Sequence, residues 1–517
     1  MNDKKIEIMI HATNEKYFSE LIKSLEAAII PENFLVEVQP VTGEEKYFAY
    51  ETARQASDAK YKIYLDERAI ITDRNFLNEL LRIFRADEKI GAIGTSGAIE
   101  LSTHGVSLTS HKRADENYFG EVEMLDGFLF ATQYDLPWRT DYSDNYFGGQ
   151  AQCAEFKRAG YKLFIGGSWI YYRGENFKLN DASRKKFLEE YSADLFPLVT
   201  VIIPTFNRPK YFREALESAL AQTYRNIEVV ISDNSTEDDT EKLVQNYLYD
   251  ARIKYFRHKD FNANDNWNFA RDYDNPAAEY VNWLMDDDLF YPTKIETMIE
   301  IYRNNPEISL VTSARHVIDA NGRIIANAVT FFENTAKMTG DEAGKLLMTT
   351  FKNFIGEPTT VLIKKKYLRG GDLCWHEDER GFFNLIDVST WLHILTQGDL
   401  FFLNEPLSCY REHPEIASGW AYTPPLMAVQ WAKLIKSAWE RKIFLKTEED
   451  FRRAIIAWLE FPVVRGLTMP LSKKYHGAEV VTLEKTLVAM AKSLLNGYRI
   501  ELPPVEYSAQ DKFKTVR

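Results

Sequence analysis

The chain has little cysteine. Cys153, Cys374 and Cys409 stand far apart and form no CxxC pair. That excludes a disulfide framework or a four-ligand zinc site as the organising device, and it fits a reducing compartment. Long hydrophobic runs are also missing. No stretch of about 18 apolar residues occurs, so no transmembrane helix is expected. The opening MNDKKIEIMIHATNEKYF lacks the apolar centre of a secretory leader. A cytoplasmic protein is expected, or one held at the membrane's edge through a partner. There is no excess of cations either. Lys and Arg number 63 against 76 Asp and Glu, for a formal net charge of −13. Nucleic acid as the main partner is excluded on that balance, because phosphate binding needs clustered cations.

What is present is an ordinary globular composition at unusual length. With 517 residues, 45% of them hydrophobic and 27% charged, the chain exceeds one hydrophobic core. Three regions separate by pattern: 1–196, 197–420 and 421–517. The first opens with a strand-like run, Lys5 to Ile10, and a helical run through Leu21 to Ala28. A second strand, Lys62 to Leu65, ends at Asp66. Phe76, Leu77, Leu80, Leu81 and Phe84 then recur at helical spacing. The second region restarts the same order. Leu198 to Ile203 is nearly all apolar, as in a parallel strand buried on both faces, and Pro204-Thr-Phe-Asn-Arg-Pro209 breaks it. A helix with Phe212, Ala215, Leu216, Ala219 and Leu220 on one face follows, then the strand Ile227 to Ser232 and a break at Asp233. This is a βαβ unit, whose ligand edge lies at the carboxyl ends of its strands. The third region reads as helical, with a capping sequence at Thr447-Glu-Glu-Asp450 and a stop at Asn496-Gly497. It carries no evident chemistry; packing, oligomerisation or docking are the roles open to it.

The segment Tyr280-Val-Asn-Trp-Leu-Met-Asp-Asp-Asp-Leu-Phe-Tyr-Pro292 runs an apolar strand straight into three carboxylates. Adjacent carboxylates repel, and a divalent cation with oxygen ligands, Mn²⁺ or Mg²⁺, resolves the repulsion. A polar loop of solvated aspartates is the plain alternative. The surroundings decide between them. Phe196 to Arg208, then Ser218 to Thr236, then Asp286-Asp287-Asp288 together resemble glycosyltransferase family 2, over roughly residues 197 to 415.

That resemblance implies a GT-A fold, a nucleotide-sugar donor (UDP-linked by expectation), an inverting transfer to a hydroxyl acceptor, and roles for single residues. Pro204, Thr205 and Asn207 would line the loop that approaches the nucleotide base, and Asp233 would contact the base. Asp286 would face the ribose. Asp287 would hold the metal, with Asp288 a candidate too because the run reads Met285-Asp-Asp-Asp rather than the family's Asp-x-Asp-Asp. Arg271, with Asn266 and Asn268, could touch the nucleotide or its phosphates, or be solvated helix residues. Asn353-Phe-Ile-Gly-Glu-Pro358 is similar to the family's acceptor-side segment, which brings in Gly356 and Glu357. Asp387 falls where the family places its catalytic base, with Trp391 one helical turn on at the acceptor side. Tyr410-Arg-Glu-His413 matches the family's late motif, and His413 would reach back to the metal or diphosphate. His393 belongs to neither motif and reads as structural.

The first region more faintly resembles the glycosyltransferase-like domain of streptomycin-biosynthesis-type proteins, over about residues 5 to 175. The stretches are Tyr64-Leu-Asp-Glu-Arg68, Ile90 to Gly97, Leu125-Asp-Gly127 and Gln152 to Lys162. The base should then fall at Gly148 or Gly149, and the late histidine near Tyr171 or Tyr172, so both polar groups are missing. The expected architecture is α/β, two tandem GT-A (Rossmann-like) domains followed by helices, the first domain degenerate. A rival has both domains active, with Asp141 or Asp144 as the first domain's base. A nucleotidyltransferase and a non-catalytic sugar-binding scaffold are the competitors from other classes. The resemblance places the transfer in cell-surface glycan or glycoprotein synthesis, with a glycan, a lipid-linked sugar or a protein as acceptor, and with a homo-oligomer or a glycosylation-machinery partner open through 1–196 or 421–517; the donor sugar is not legible.

Overall fold

The computed structural model describes residues 1–43, 45–99, 101, 111–113, 119–142, 146–173, 180–368, 385–414, 424–467, 478–494 and 499–504. The chain forms two compact units, Met1–Phe196 and Pro197–Arg517.

The first unit runs β1 Asn2–His11, α1 Glu15–Leu25, β2 Leu35–Val41, α2 Lys46–Ala56, β3 Ala59–Asp66, β4 Ala69–Ile71, α3 Phe76–Ala86 and β5 Ile90–Gly94. Short strands β6 Ser96–Ala98, β7 His111–Arg113, β8 Gly120–Val122, β9 Met124–Leu125 and β10 Leu129–Thr132 follow. It closes with α4 Phe147–Arg158, β11 Lys162–Ile165, β12 Ile170–Tyr172 and α5 Asp181–Leu195. Among the described residues its main sheet has seven strands, in the order β2-β1-β3-β10-β5-β11-β8. β1, β2 and β3 are parallel, and β10 enters antiparallel. The helical spacing in α3 is used as expected: Phe76, Leu77, Leu80, Leu81 and Phe84 all enter a core with Ile6, Ile8, Ile10, Ile63 and Leu65.

The second unit begins β13 Leu198–Thr205, α6 Pro209–Leu220, β14 Ile227–Asp233, α7 Asp239–Gln245, β15 Ile253–Arg257, α8 Ala263–Asp272 and β16 Ala278–Trp283. Then come β17 Leu289–Phe290, α9 Lys294–Asn304, β18 Ile308–Ile318, β19 Ile324–Val329, β20 Ala336–Met338, α10 Gly340–Thr350, β21 Leu362–Lys364, α11 Ile386–Leu395 and β22 Asp399–Arg411. The sheet path is β15-β14-β13-β16-β21-β18-β22-β17, parallel from β15 to β16. β13 is buried nearly throughout, which is why its sequence is a continuous apolar run rather than an alternation. Pro209 starts α6 at a position where a missing N–H costs nothing, and Phe212, Ala215, Leu216 and Ala219 are its buried face. The ends of β13, β14 and β16 therefore open on one edge of the sheet, where the three sequence breaks fall.

The helices Pro424–Glu440, Glu448–Leu459, Pro462–Leu467 and Ala478–Ser493 share one hydrophobic core with this sheet. Trp431, Phe444 and Trp458 pack in the same cluster as Leu347 of α10 and Trp391 of α11. Thr447 and Asp450 form a reciprocal capping box at the start of Glu448–Leu459, as the sequence suggests. The expected stop at Asn496-Gly497 lies outside the described residues.

Candidate active site at the strand ends of the second unit

Thr205 ends β13, and its hydroxyl donates to Asp286 Oδ2 at 2.9 Å; the Phe206 amide donates to the same oxygen at 3.3 Å. Asp286 is 2% exposed, so its carboxylate ties the first loop to the aspartate run instead of lying open to a ribose. Asn207 has φ 52°, a left-handed geometry that asparagine tolerates better than most residues. Its side chain donates to Thr236 Oγ1 at 2.8 Å and accepts from the Thr236 amide at 3.0 Å, which locks the first two strand-end loops together. Pro204 lies within β13, one residue before that loop.

Asp233 ends β14 fully buried. Tyr255 and Arg257 donate to its Oδ2 at 2.8 and 2.6 Å, and the Ser235 amide donates to Oδ1 at 2.8 Å. The carboxylate expected to meet the base is committed to internal donors. Asn266 is buried too: it accepts from the Ser232 hydroxyl and donates to the Ser232 carbonyl, so it braces β14 and is neither solvated nor at an open edge. Arg271 forks onto its neighbour Asp272, at 2.8 Å from each nitrogen, and not onto the strand-end carboxylates. Asn268 lies on the same helix, α8.

The three aspartates separate sharply. Asp288 is 2% exposed; its Oδ1 accepts from the Arg411 amide at 3.0 Å and its Oδ2 from Thr359 at 2.6 Å. Both lobes are thus used to join the end of β22 to the short turn Pro358–Thr360, which is a structural role and not that of an open metal ligand. Asp287 is the one that faces His413, with Nε2 3.0 Å from Oδ2. Arg208, at the start of α6, reaches Asp287 at 2.5 Å and Asp286 at 3.3 Å. Burial is the main force that pushes the Asp286 and Asp288 carboxyls up, the Asp287 charge adds to it, and Arg208 pulls Asp286 back. Arg411 is fully enclosed: it donates from Nε to the Asp287 carbonyl at 2.7 Å and pairs with Glu214 at 2.6 Å. It holds the whole run in place.

Asp387 is the second residue of α11. Asn353 Nδ2 donates to its Oδ2 at 2.8 Å, and the Val388 amide to Oδ1 at 2.8 Å. Burial pushes its carboxyl up to about 6, the Glu357 charge adds to this, and those two donors oppose it. Gly356 adopts φ 103°, and a Cβ there would come within 2.7 Å of Thr360 Oγ1, so the turn needs glycine. The Gly356 carbonyl accepts from Asn353 Nδ2 and from Trp391 Nε1, each at 3.1 Å. Trp391 is 1% exposed, so it is a core residue that fixes the turn and not a stacking face for an acceptor. Glu357 is partly exposed and paired with Arg315, 2.7 Å from its Nη2. His393 is buried on α11.

The segment from Asn353 to Thr359 is what connects the two halves of the site. Asn353 holds Asp387, Thr359 holds Asp288, and Glu357 between them acts electrostatically on both. The sequence alone does not mark Arg208, Asn353, Thr359 or the Arg411–Glu214 pair as parts of this site. Arg208 and Asn353 stand inside the recognised motifs, and their charge and amide were the available signal.

A metal at Asp287 would find one carboxylate and one imidazole nitrogen on a common point. Among the described residues no group of three or more His, Cys, Asp or Glu side chains converges. With Arg208 Nη1 already 2.5 Å from the same Asp287 oxygen, these residues fit a cation only where diphosphate oxygens and water complete its ligands, and they form no all-protein cage. Among the described residues no helix is long and apolar enough to cross a membrane.

Residues 200–369 match the family described as "Glycosyl transferase family 2", and residues 7–191 match "Glycosyltransferase like family". An uncharacterized glycosyltransferase of Rickettsia bellii is 29% identical over 224 residues, which is 43% of this chain and 31% of the relative. Chondroitin synthase of Escherichia coli is 23% identical over 309 residues, 53% of this chain and 43% of that protein. The crystal structure of S. aureus TarS is similar at 17% identity and a TM-score of 0.40, over 58% of this chain and 50% of that one. The chain spans less than half the length of these curated relatives. It carries two glycosyltransferase-type domains in tandem, and its residues 200–369 belong to glycosyltransferase family 2.

Proposed function

We propose that the second unit transfers a sugar, with inversion, from a nucleoside-diphosphate donor to a hydroxyl of a growing glycan, with Asp387 as the base. The observation that carries this reading is the setting of Asp387: a carboxyl raised to about 6 and aimed by Asn353 from the segment that also braces the aspartate run. A base with a pKa just below neutral is ionised at working pH and still strong enough to take a hydroxyl proton. Attack by that hydroxyl on the anomeric carbon breaks the bond to the diphosphate from the opposite side. The reaction passes through a transition state with oxocarbenium character.

The donor lies along the ends of β13, β14 and β16, with the Thr205–Asn207 loop and the Asp233 group at its nucleoside end. A uridine nucleotide is the donor proposed. Asp287 and His413 hold Mn²⁺ or Mg²⁺, which when bound supplies positive charge at the leaving diphosphate. Arg208 lies on the same carboxylate and is placed to follow the diphosphate charge. Gly356 and Glu357 shape the acceptor side, where the Arg315–Glu357 pair leaves a partly exposed carboxylate for sugar hydroxyls. The resemblance to chondroitin synthase supports a polysaccharide acceptor. A cytoplasmic location, where nucleotide sugars are made, agrees with this chemistry.

The test is a panel of nucleotide sugars with Mn²⁺ and candidate glycan acceptors, scored by nucleoside diphosphate release. Asp387→Asn should abolish acceptor-dependent release and leave donor binding intact. Normal turnover by that variant would sink the base assignment.

A further inference from the structure

The strand ends of the two units carry corresponding ties, although along the β1–β3 and β13–β16 ladders Glu67 comes one residue earlier than Asp286. Glu67 Oε2 accepts from the amides of Thr13 and Asn14 at 2.6 and 2.8 Å, and Oε1 accepts from the Thr13 hydroxyl at 2.7 Å. Asp286 makes the same tie to the Thr205 hydroxyl and the Phe206 amide. Glu67 is therefore the counterpart of Asp286, and Arg68 falls at the position of Asp287. Downstream, the β4–β12 ladder sets Tyr172 opposite Ala69, and the β17–β22 ladder, with Cys409 opposite Leu289, carries on to set Tyr410 opposite Asp288. Tyr172-Arg173 is thus the counterpart of Tyr410-Arg411. β1 and β2 run in register with His11 opposite Val41, so Thr13 lies level with Gly43, the position Asp233 takes opposite Thr205. The Gly43 carbonyl is occupied by His11 Nε2 at 2.9 Å. Gly148 is the second residue of α4, as Asp387 is of α11.

At each chemical position the first unit holds something else, and the replacements are built in. Arg68 forks onto Asp66 at 2.8 and 2.9 Å, and Lys46 approaches the same carboxylate at 3.5 Å and the Gly127 carbonyl at 3.3 Å. Lys46, Asp66 and Glu67 are all buried. Tyr172 lies over the Arg68 guanidinium, 5.1 Å from its ring centre. At Gly148 a Cβ would come 2.1 Å from the ring of Tyr47, which is itself stacked on Trp138 at 5.4 Å. A side chain as large as aspartate has no room where the base would stand. Asp141, the alternative base, is paired with Arg139 and Lys186, and Asp144 lies outside the described residues.

We infer that the first unit binds no divalent cation and transfers no sugar: Arg68 and Lys46 supply from the chain itself the charge its strand-end carboxylate needs, and Tyr47 fills the base position. One guanidinium and one ammonium against Asp66 and Glu67 leave the cluster neutral without a metal. The carboxylate kept in both units, Glu67 here and Asp286 there, is the one that ties the first loop, so that tie is a property of the fold and not of the reaction. All transfer by the chain then passes through Asp387, with one metal and one nucleotide per chain. The correspondence of positions rests on the reading of the second unit given above.

The experiment uses the full chain, with UDP and Mn²⁺ as probes. Wild type should bind a single equivalent of UDP in Mn²⁺-dependent fashion, and Asp287→Asn/His413→Ala should bind none at concentrations that saturate wild type. An equivalent retained by the double variant would overturn the inference. Hydrogen exchange on wild type needs no variant: UDP and Mn²⁺ should protect peptides around 204–207 and 285–288 and leave 64–70 unchanged, whereas protection at 64–70 would refute it. If wild type binds no UDP at all and 64–70 stays unchanged, the donor site of the second unit fails while the first unit stands as described.

Discussion

Asp387 offers the sharpest prediction, because its environment fixes both a stability and a rate. Its carboxyl rises from 3.8 to about 6 on folding. That is roughly two pH units, or ~3 kcal/mol of preference for the neutral form in the folded state. The group keeps some contact with solvent, so this is an upper figure. Below pH 4 the carboxyl is neutral in both folded and unfolded chains and costs nothing. As pH rises from about 4 to about 6 the unfolded chain ionises first, and stability is lost until the folded group ionises too. Asp387→Asn removes that loss. The variant should match wild type near pH 4 and exceed it by up to ~3 kcal/mol above pH 6, as measured by denaturant titration at several pH values. Catalysis must run the other way. Wild-type kcat/KM should rise through an acidic limb near 6, and the variant should fall by about 10²–10⁴-fold. A stability difference that does not change between pH 4 and 7, or a rate with no limb near 6, would refute the argument that this carboxyl is a buried base.

Asn353→Ala removes a donor to the ionised form, worth about 1.5–3 kcal/mol for a charged partner, so the acidic limb should move up by roughly one to two pH units in the rate profile. Asp287→Asn should abolish Mn²⁺-dependent nucleotide binding in a dialysis assay while leaving the melting temperature close to wild type. Asp288→Asn should keep Mn²⁺-dependent nucleotide binding in the same assay, because that side chain is turned inward onto Arg411 and Thr359. Gly148→Ala forces a methyl against Tyr47 and should destabilise the first unit by about 1–3 kcal/mol in calorimetry, with transfer by the second unit unchanged.

The sequence shows which positions end strands, because a buried parallel strand writes a continuous apolar run and its ligand edge writes a break. Pro204, Asp233 and Asp286 to Asp288 all stand at such ends. It does not show which way a carboxylate turns. Three consecutive aspartates look alike in a string, and only the Arg411 amide, 123 residues away, reveals that Asp288 faces inward. Trp391 fails for a related reason: a tryptophan one turn past an acid serves equally well as core or as sugar platform, and burial decides. The Tyr47 ring over Gly148 joins positions about a hundred residues apart, a pairing that no local pattern encodes. The missing base, by contrast, is already expected from spacing, which puts Gly148 or Gly149 where an aspartate should stand.

The helices beyond residue 420 carry none of the site's residues, yet they share its folding unit. Gly344 of α10 lies so near Phe444 that a Cβ would sit 2.3 Å from the ring, and Trp458 donates to the Ala428 carbonyl within that helical group. α10 touches both α11, which bears Asp387, and the helix Glu448–Leu459. A fragment cut at the end of β22 would leave the rear of that core in water. It should aggregate or melt early even though every residue of the reaction is present. The shortest fragment that can be expected to stand alone is set by the hydrophobic wall behind the base.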